Sequence, residues 1–269
     1  MGDLSLTPDP WEELRGITAA RIALGRSGGS VPTRAQLDFR LAHARARDAV
    51  LSHFDPDELG EDLRTLGQPV LVAESAARDR AEFLQRPDLG RRLGHASRAD
   101  LVEHAARGAR CDLVIIISDG LSTLAATTQS APLLAALLPL LHASGWVLAP
   151  LVVARHGRVG LQDEIGEIFR AKISLMLLGE RPGLGSADSL GAYFTHAPAI
   201  GMTDADRNCI SNIRPGGLTA AEAAHKLHYL LTQARTLGLS GVALKDDAPM
   251  LPTSASTGPL PHSATHQED

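Results

Sequence analysis

Residues Leu113-Val-Ile-Ile-Ile117 form an unbroken apolar run, and nothing else in the chain limits its fold so tightly. A strand with one wet face alternates apolar and polar residues. A continuous run belongs to a strand buried on both faces, as in a parallel sheet with helices on each side. The run ends at Ser118-Asp-Gly-Leu-Ser122, and an Ala/Leu-rich helix follows to about His142. The pattern then repeats. Residues 146–154 read as a second apolar strand ending at Arg155-His-Gly-Arg-Val-Gly160, followed by a helix over 162–170. A further strand over 173–178 ends at Gly179-Glu-Arg-Pro-Gly-Leu184. This alternation predicts an α/β fold with an open, mostly parallel sheet and flanking helices.

An N-terminal helical segment, residues 1–66, precedes the sheet. A short helix is expected over 11–24, ending at Gly25. Pro32 then opens a long helix from 33 to about 54, with Leu37, Leu41, Ala44, Asp48 and Leu51 at helical spacing. Asp55-Pro-Asp begins another short helix. The α/β domain is expected over 67–246, with Pro69-Val-Leu-Val-Ala73 as its first strand. Arg86-Pro-Asp-Leu-Gly90 reads as a turn, and a helix over 97–107 has Ser97 as its cap. Residues 203–217 read as a polar loop, and Thr219 caps a helix over 220–237. Residues 247–269 are rich in Pro, Ser, Thr and His and predict a disordered tail.

Composition excludes several classes of function. With 269 residues, 44 % hydrophobic and 21 % charged, the chain can bury a core. A net charge of −5 gives no pull toward nucleic acid. The first ten residues lack the apolar core of a secretory signal. The apolar stretch over 132–154 contains Pro139, His142, Gly145 and Pro150, and the Ala-Ser-Gly turn at 143–145 cuts it into two pieces, each shorter than the ~20 residues of a spanning helix. It reads as a buried helix followed by a buried strand, so no membrane partner is expected. Cys111 and Cys209 have neither disulfide-framework nor metal-ligand spacing, which suits a reducing cytoplasm. No dinucleotide or P-loop fingerprint occurs, no G-x-S-x-G elbow is expected, and His225 and His228, three apart on one helix without an acidic companion for metal, read as a satisfied or solvated pair. No catalytic residue and no metal ligand is predicted.

A ligand site is expected at the carboxyl ends of the parallel strands. Asp119-Gly120, residues 155–160 and residues 179–184 leave those ends, although Gly and polar residues also serve plain turns. Glu180 can pair with a neighbouring arginine or accept hydrogen bonds from ligand amides. Cys209 lies in the polar stretch Arg207-Asn-Cys-Ile-Ser-Asn-Ile-Arg214, where a small buried hydrophobe is less at home.

A series of motifs resembles the small (light) subunit of ethanolamine ammonia-lyase. They run in order through Thr18-Ala-Ala-Arg-Ile-Ala-Leu-Gly-Arg26, Leu41-Ala-His-Ala-Arg-Ala-Arg-Asp-Ala-Val50 and Arg86-Pro-Asp-Leu-Gly-Arg-Arg-Leu93. Ser118-Asp-Gly-Leu-Ser122, Asp163-Glu-Ile-Gly166, Gly179-Glu-Arg-Pro-Gly-Leu184, Arg207-Asn-Cys-Ile-Ser-Asn-Ile-Arg-Pro215 and Leu239-Ser-Gly-Val-Ala-Leu-Lys-Asp246 continue the series. The resemblance implies adenosylcobalamin as cofactor and a large TIM-barrel subunit as partner, which binds ethanolamine. It implies homolysis of the cobalt–carbon bond, hydrogen abstraction and rearrangement to acetaldehyde and ammonia. It assigns Val159, Glu180 and Cys209 to corrin contacts, and implies that this chain alone is inactive. A D-x-H-x-x-G motif is absent, in keeping with base-on binding and no histidine from this chain on cobalt. A cytoplasmic location is implied, with a bacterial microcompartment as the enclosure some members use. Those members often carry an N-terminal extension, and here the resemblance begins as early as Thr18. Two other readings stay open from the residues: a stand-alone α/β module for nucleotides or small molecules, and an assembly subunit that never touches cofactor.

Overall fold

The structure, a computed structural model, describes residues 9–18 and 20–247. Apart from Asp247, the predicted tail lies outside the described residues. Six strands form one sheet: β1 (Val70–Glu74), β2 (Leu113–Ser118), β3 (Leu151–Arg155), β4 (Ile173–Gly179), β5 (Leu190–His196) and β6 (Arg207–Ile213), in the order β1-β3-β2-β4-β5-β6. The first four in that order are parallel. β5 runs antiparallel to β4, and β6 antiparallel to β5. The helices are α1 (Thr33–Leu51), α2 (Pro56–Arg64), α3 (Arg80–Gln85), α4 (His95–Arg107), α5 (Thr123–Ala143), α6 (Leu161–Ile168) and α7 (Ala220–Leu237).

The unbroken run of β2 is explained by two cores. Leu113, Ile115 and Ile117 enter one with α5 and α7, where Leu134, Leu137, Leu227 and Leu231 meet them. Val114 and Ile116 enter the other with Leu101 of α4 and Leu161 and Ile165 of α6. The crossovers follow from handedness. The chain passes from β1 over β3 to β2 with α4 on one face, turns back to β3 with α5 on the opposite face, then passes over β2 to β4 with α6 on the first face. Right-handed connections require the helix to change faces whenever the direction of travel reverses. The exit loops of β2 and β3, neighbours in the sheet, therefore diverge to opposite faces and open a crevice at their carboxyl ends.

α5 spans 21 residues through Pro132 and Pro139 and has the length and hydropathy of a membrane-crossing helix. The apolar stretch over 132–154 is cut after Ala143 as expected, and the helix owes its length to residues 123–131 ahead of that stretch. Nine of its residues are buried between the sheet and the neighbouring helices, and a helix apolar nearly all round suits that position. α2 is capped by Asp55, whose side chain accepts from the Asp57 and Glu58 amides. α7 opens on a reciprocal Thr219–Glu222 capping box and ends at Gly238 in the left-handed region.

Several boundaries differ from the sequence expectation. The segment 11–24 holds only a 3-10 turn, Glu12–Gly16. α3 was not anticipated, and β3 starts at Leu151 rather than 146. α4 begins at His95 behind Gly94, and Ser97 Oγ instead accepts the Glu74 amide at 2.9 Å. The predicted loop over 203–217 contains β6, an edge strand whose buried residues are only Ile210 and Ile213. With one wet face and one neighbour, it has too few apolar residues to read as a strand. In α1 the periodic leucines Leu37, Leu41 and Leu51 are exposed, and Ala42 and Ala49 face inward.

The two environments predict opposite responses to truncation. Leu137→Ala, at the centre of the α5 core, should lower the unfolding free energy by about 3 kcal/mol, whereas Leu37→Ala should change it by less than about 0.5 kcal/mol. Urea melts of the two variants check both values.

Candidate functional site

The loops leaving β2, β3 and β4 converge on one cleft. Its walls are two backbone segments in direct contact: the Leu121 amide donates to the Gly179 carbonyl at 2.8 Å. That approach needs glycine on both sides. Gly120 has φ +50°, and a Cβ on Gly179 would overlap the Ser122 and Asp119 carbonyls.

Beneath the loops lies the buried Asp119 carboxylate. Its Oδ2 accepts from Arg80 Nη1 at 2.8 Å, and its Oδ1 accepts from the His156 amide at 2.7 Å and from Ser118 Oγ at 3.0 Å. Arg80 also donates to the Gly120 carbonyl at 2.6 Å and to the Val50 carbonyl at 2.8 Å. His156 takes φ +60° to bring its amide inward, and its ring stacks on Phe83 with centroids 5.8 Å apart. Burial pushes the Asp119 carboxyl up against the opposing pull of Arg80, and burial pushes the His156 imidazole down.

The cleft itself has a volume of about 900 Å³. Five arginines line it (Arg91, Arg92, Arg158, Arg181 and Arg207), with three carboxylates, Asp163, Glu180 and Asp204. The Arg207 side chain is only 5 % exposed, although the residue as a whole is half-buried, and it grips Asp163 with two parallel bonds of 2.5 and 2.8 Å, while a third donation reaches the Met202 carbonyl at 2.8 Å. Burial raises the Asp163 carboxyl and the Arg207 pair lowers it. Arg158 lies 4.1 Å from the Phe83 ring centroid and donates to the Phe83 carbonyl at 3.1 Å. Burial, then the nearby cations Arg80 and Arg91, hold its guanidinium below its ordinary pKa. The result is a rigid, polar surface rich in fixed donors.

Val159 and Glu180, both singled out from the sequence, line this cleft. Val159 is half-buried on the loop after β3. Glu180 follows β4 directly; its Oε2 accepts from Ser189 Oγ at 2.5 Å and from the Asn212 amide at 3.2 Å. Its Oε1 accepts no hydrogen bond among the described residues, and no ion pair joins it to Arg181. Cys209 does not line the cleft. It sits on β6 opposite Tyr193 of β5, and Tyr193 does line it, so the thiol is at the rim. Cys209 is exposed as a residue, yet the protein packed around its sulfur, with Glu180 nearby, pushes the thiol up to about 11. Burial likewise raises the Tyr193 hydroxyl.

Arg158, Tyr193 and the Asp163–Arg207 pair were not singled out from the sequence. Arg158 was within reach, inside the strand-exit loop already identified. The pair was not, because its partners are 44 residues apart and nothing in the two motifs that begin with them links one to the other. The histidine reading holds in part: His228 Nε2 lies 2.7 Å from Ser144 Oγ. Among the described residues no three His, Cys, Asp or Glu side chains group as metal ligands. Gly25-Arg-Ser-Gly-Gly29 has the letters G-x-S-x-G but lies in the loop before α1, not on a strand-to-helix turn.

The family model described as Ethanolamine ammonia-lyase light chain (EutC) matches residues 8–245, starting ahead of the motifs that begin at Thr18. An "Ethanolamine ammonia-lyase small subunit" from Azotobacter vinelandii is 55 % identical over 243 residues, covering 90 % of this chain and 90 % of the relative. One from Pseudomonas putida strain W619 is 54 % identical over 244 residues, with 90 % of each chain covered. One from Pseudomonas aeruginosa strain LESB58 is 55 % identical over 241 residues, covering 89 % of this chain and 88 % of the relative.

Two measurements check the geometry. Arg80→Met leaves Asp119 buried without its cation and should lower the unfolding free energy by about 3 kcal/mol, read in urea. Cys209, as a neutral thiol at pH 8, should react with iodoacetamide at least about tenfold more slowly than an unhindered thiol, with the rate still climbing well above pH 9.

Proposed function

Because the chain belongs to the ethanolamine ammonia-lyase light-chain family and is therefore a lyase subunit, we propose that its cleft covers one side of adenosylcobalamin, against a large subunit that binds ethanolamine. The observation that carries this reading is the free Glu180 Oε1 at the lip of an open cleft. The other oxygen of the same carboxylate is fixed by Ser189 and the Asn212 amide, so Oε1 is aimed without freedom to turn away. A carboxylate held this way is an acceptor for amide N–H groups, which cobalamin carries around its ring.

The remaining lining fits the same ligand. Arg158 and Arg181 offer donors to amide carbonyls, Val159 offers apolar contact, and Tyr193 with Cys209 gives a neutral rim. Volumes near 900 Å³ suit a drug-sized ligand; a macrocycle with its nucleotide tail is larger, so this chain holds only part of it. The radical chemistry belongs to adenosylcobalamin when bound, and the protein supplies position and exclusion of water. Residues of this chain bind and orient; none is assigned a proton transfer. Two free cysteines, Cys111 and Cys209, suit a cytoplasmic setting.

The test uses the complex of this chain with its large subunit. Glu180→Ala should weaken cobalamin binding roughly tenfold to a hundredfold, the cost of one hydrogen bond to a charged group, with the chain still folded by circular dichroism. Glu180→Gln, which keeps an acceptor oxygen, should recover part of the loss. An unaltered cobalamin titration for Glu180→Ala, or full ethanolamine deamination by this chain alone, would overturn the reading.

A further inference from the structure

Helix α1 carries two apolar stripes that face in different directions. Ala42 and Ala49 lie on the buried side. At about 100° per residue, Leu37, Leu41, Ala44 and Leu51 centre roughly 130° away around the axis, and the three leucines are 51–60 % exposed. A helix lying on its own domain needs one apolar stripe. The small-residue stripe serves that purpose here, so the leucine stripe has no partner within the described chain.

Charge borders the outer stripe on both sides. Arg34 and Arg45 run along one edge and Arg40 and Arg47 along the other, all exposed. Asp48 interrupts the stripe and meets Arg47 at 3.6 Å. Arg34, Arg40 and Arg45 make no ion pair among the described residues. The result is an apolar ridge between two basic rows.

The ridge borders the edge that carries the cleft. Ahead of α1, Arg21 Nη2 donates to the Leu184 carbonyl on the β4 exit loop at 3.3 Å. At the far end of α1, the Val50 carbonyl accepts from Arg80 at 2.8 Å, and the Ser52 carbonyl accepts from Thr123 Oγ1 at 3.2 Å beside the β2 exit. The C-terminal end of the helix is thus tied to the strand-exit loops, and the segment ahead of the helix touches the same edge through Arg21.

We propose that the Leu37–Leu41–Leu51 ridge docks into the large subunit, in a groove with an apolar floor and carboxylates along both rims. This rests on the reading of the chain as a cofactor-covering small subunit, because it extends that same face. A helix laid in a groove, read by residues at i, i+4 and i+14, uses its apolar ridge for affinity and its charged borders for register. A second copy of this chain fits worse, since pairing two such ridges would bring basic rows against basic rows.

The test compares Leu37→Glu/Leu41→Glu with wild type by sedimentation against purified large subunit. The expected result is a chain with unchanged circular dichroism whose affinity for the large subunit falls at least about tenfold. As a second readout, the thiol introduced by Leu41→Cys should be protected at least about tenfold from maleimide when the large subunit is added. Normal assembly of the double variant, or unprotected labelling in the complex, would overturn the proposal and leave the cleft reading standing. Stripe-dependent self-association, or stripe-dependent binding to phosphatidylglycerol vesicles with assembly intact, would also overturn it. Wild-type chain that does not assemble at all would remove the cleft reading with it, whereas Glu180→Ala, which changes only the cleft, should assemble normally.

Discussion

Asp119 is 1 % exposed, and its partners come from three separate parts of the chain. Ser118 ends β2, the His156 amide opens the loop after β3, and Arg80 starts α3, at separations of up to 39 residues. Through Arg80 the same knot reaches Val50 at the end of α1. A buried carboxylate without partners would cost several kcal/mol; with these it fixes the one place where the sheet's connections diverge. The crevice exists because right-handed crossovers send the loops of β2 and β3 to opposite faces. Asp119 holds that crevice at one width, and the glycine contact between Gly120 and Gly179 sets the position of the third loop.

A second knot, Asp163 with Arg207, does for the antiparallel half what Asp119 does for the parallel half. It ties α6, which packs under the parallel strands, to β6 at the outer edge. The cleft lies between these two ion pairs, and its residues are held from both sides. Glu180 shows the consequence. It follows β4 in sequence but is fixed by Ser189, just ahead of β5, and by Asn212 of β6. The antiparallel addition to the sheet is what aims the carboxylate.

The parallel half of the fold was legible in the sequence because burial on both faces leaves a continuous apolar run, as at 113–117 and 173–178. Edge strand β6 was hidden because its outer residues are polar, and α3 because six residues carry too little periodicity to detect. The strand-exit loops followed from a rule about parallel sheets, and the folded chain brings those after β2, β3 and β4 together around one cleft. Val159 and Glu180 were found there, while Cys209 proved to be at the rim and Tyr193 behind it was missed. Long-range ion pairs such as Asp163–Arg207 leave no local pattern; only the folded chain brings them together.

The leucine periodicity of α1 shows where such reading misleads. Spacing at 37, 41, 44, 48 and 51 identifies an apolar face correctly but says nothing about what covers it. In a chain that folds alone, an apolar stripe and its core are the same thing. Here the helix meets its own domain through Ala42 and Ala49, small residues that let the backbone approach closely, and turns its larger side chains outward. The open cleft has a similar character, with firmly fixed donors and a Glu180 oxygen that accepts no hydrogen bond among the described residues. Both uncovered surfaces are tied to the strand-exit loops of β2 and β4. What holds both surfaces in shape lies beneath them, in the buried Asp119–Arg80 and Asp163–Arg207 pairs.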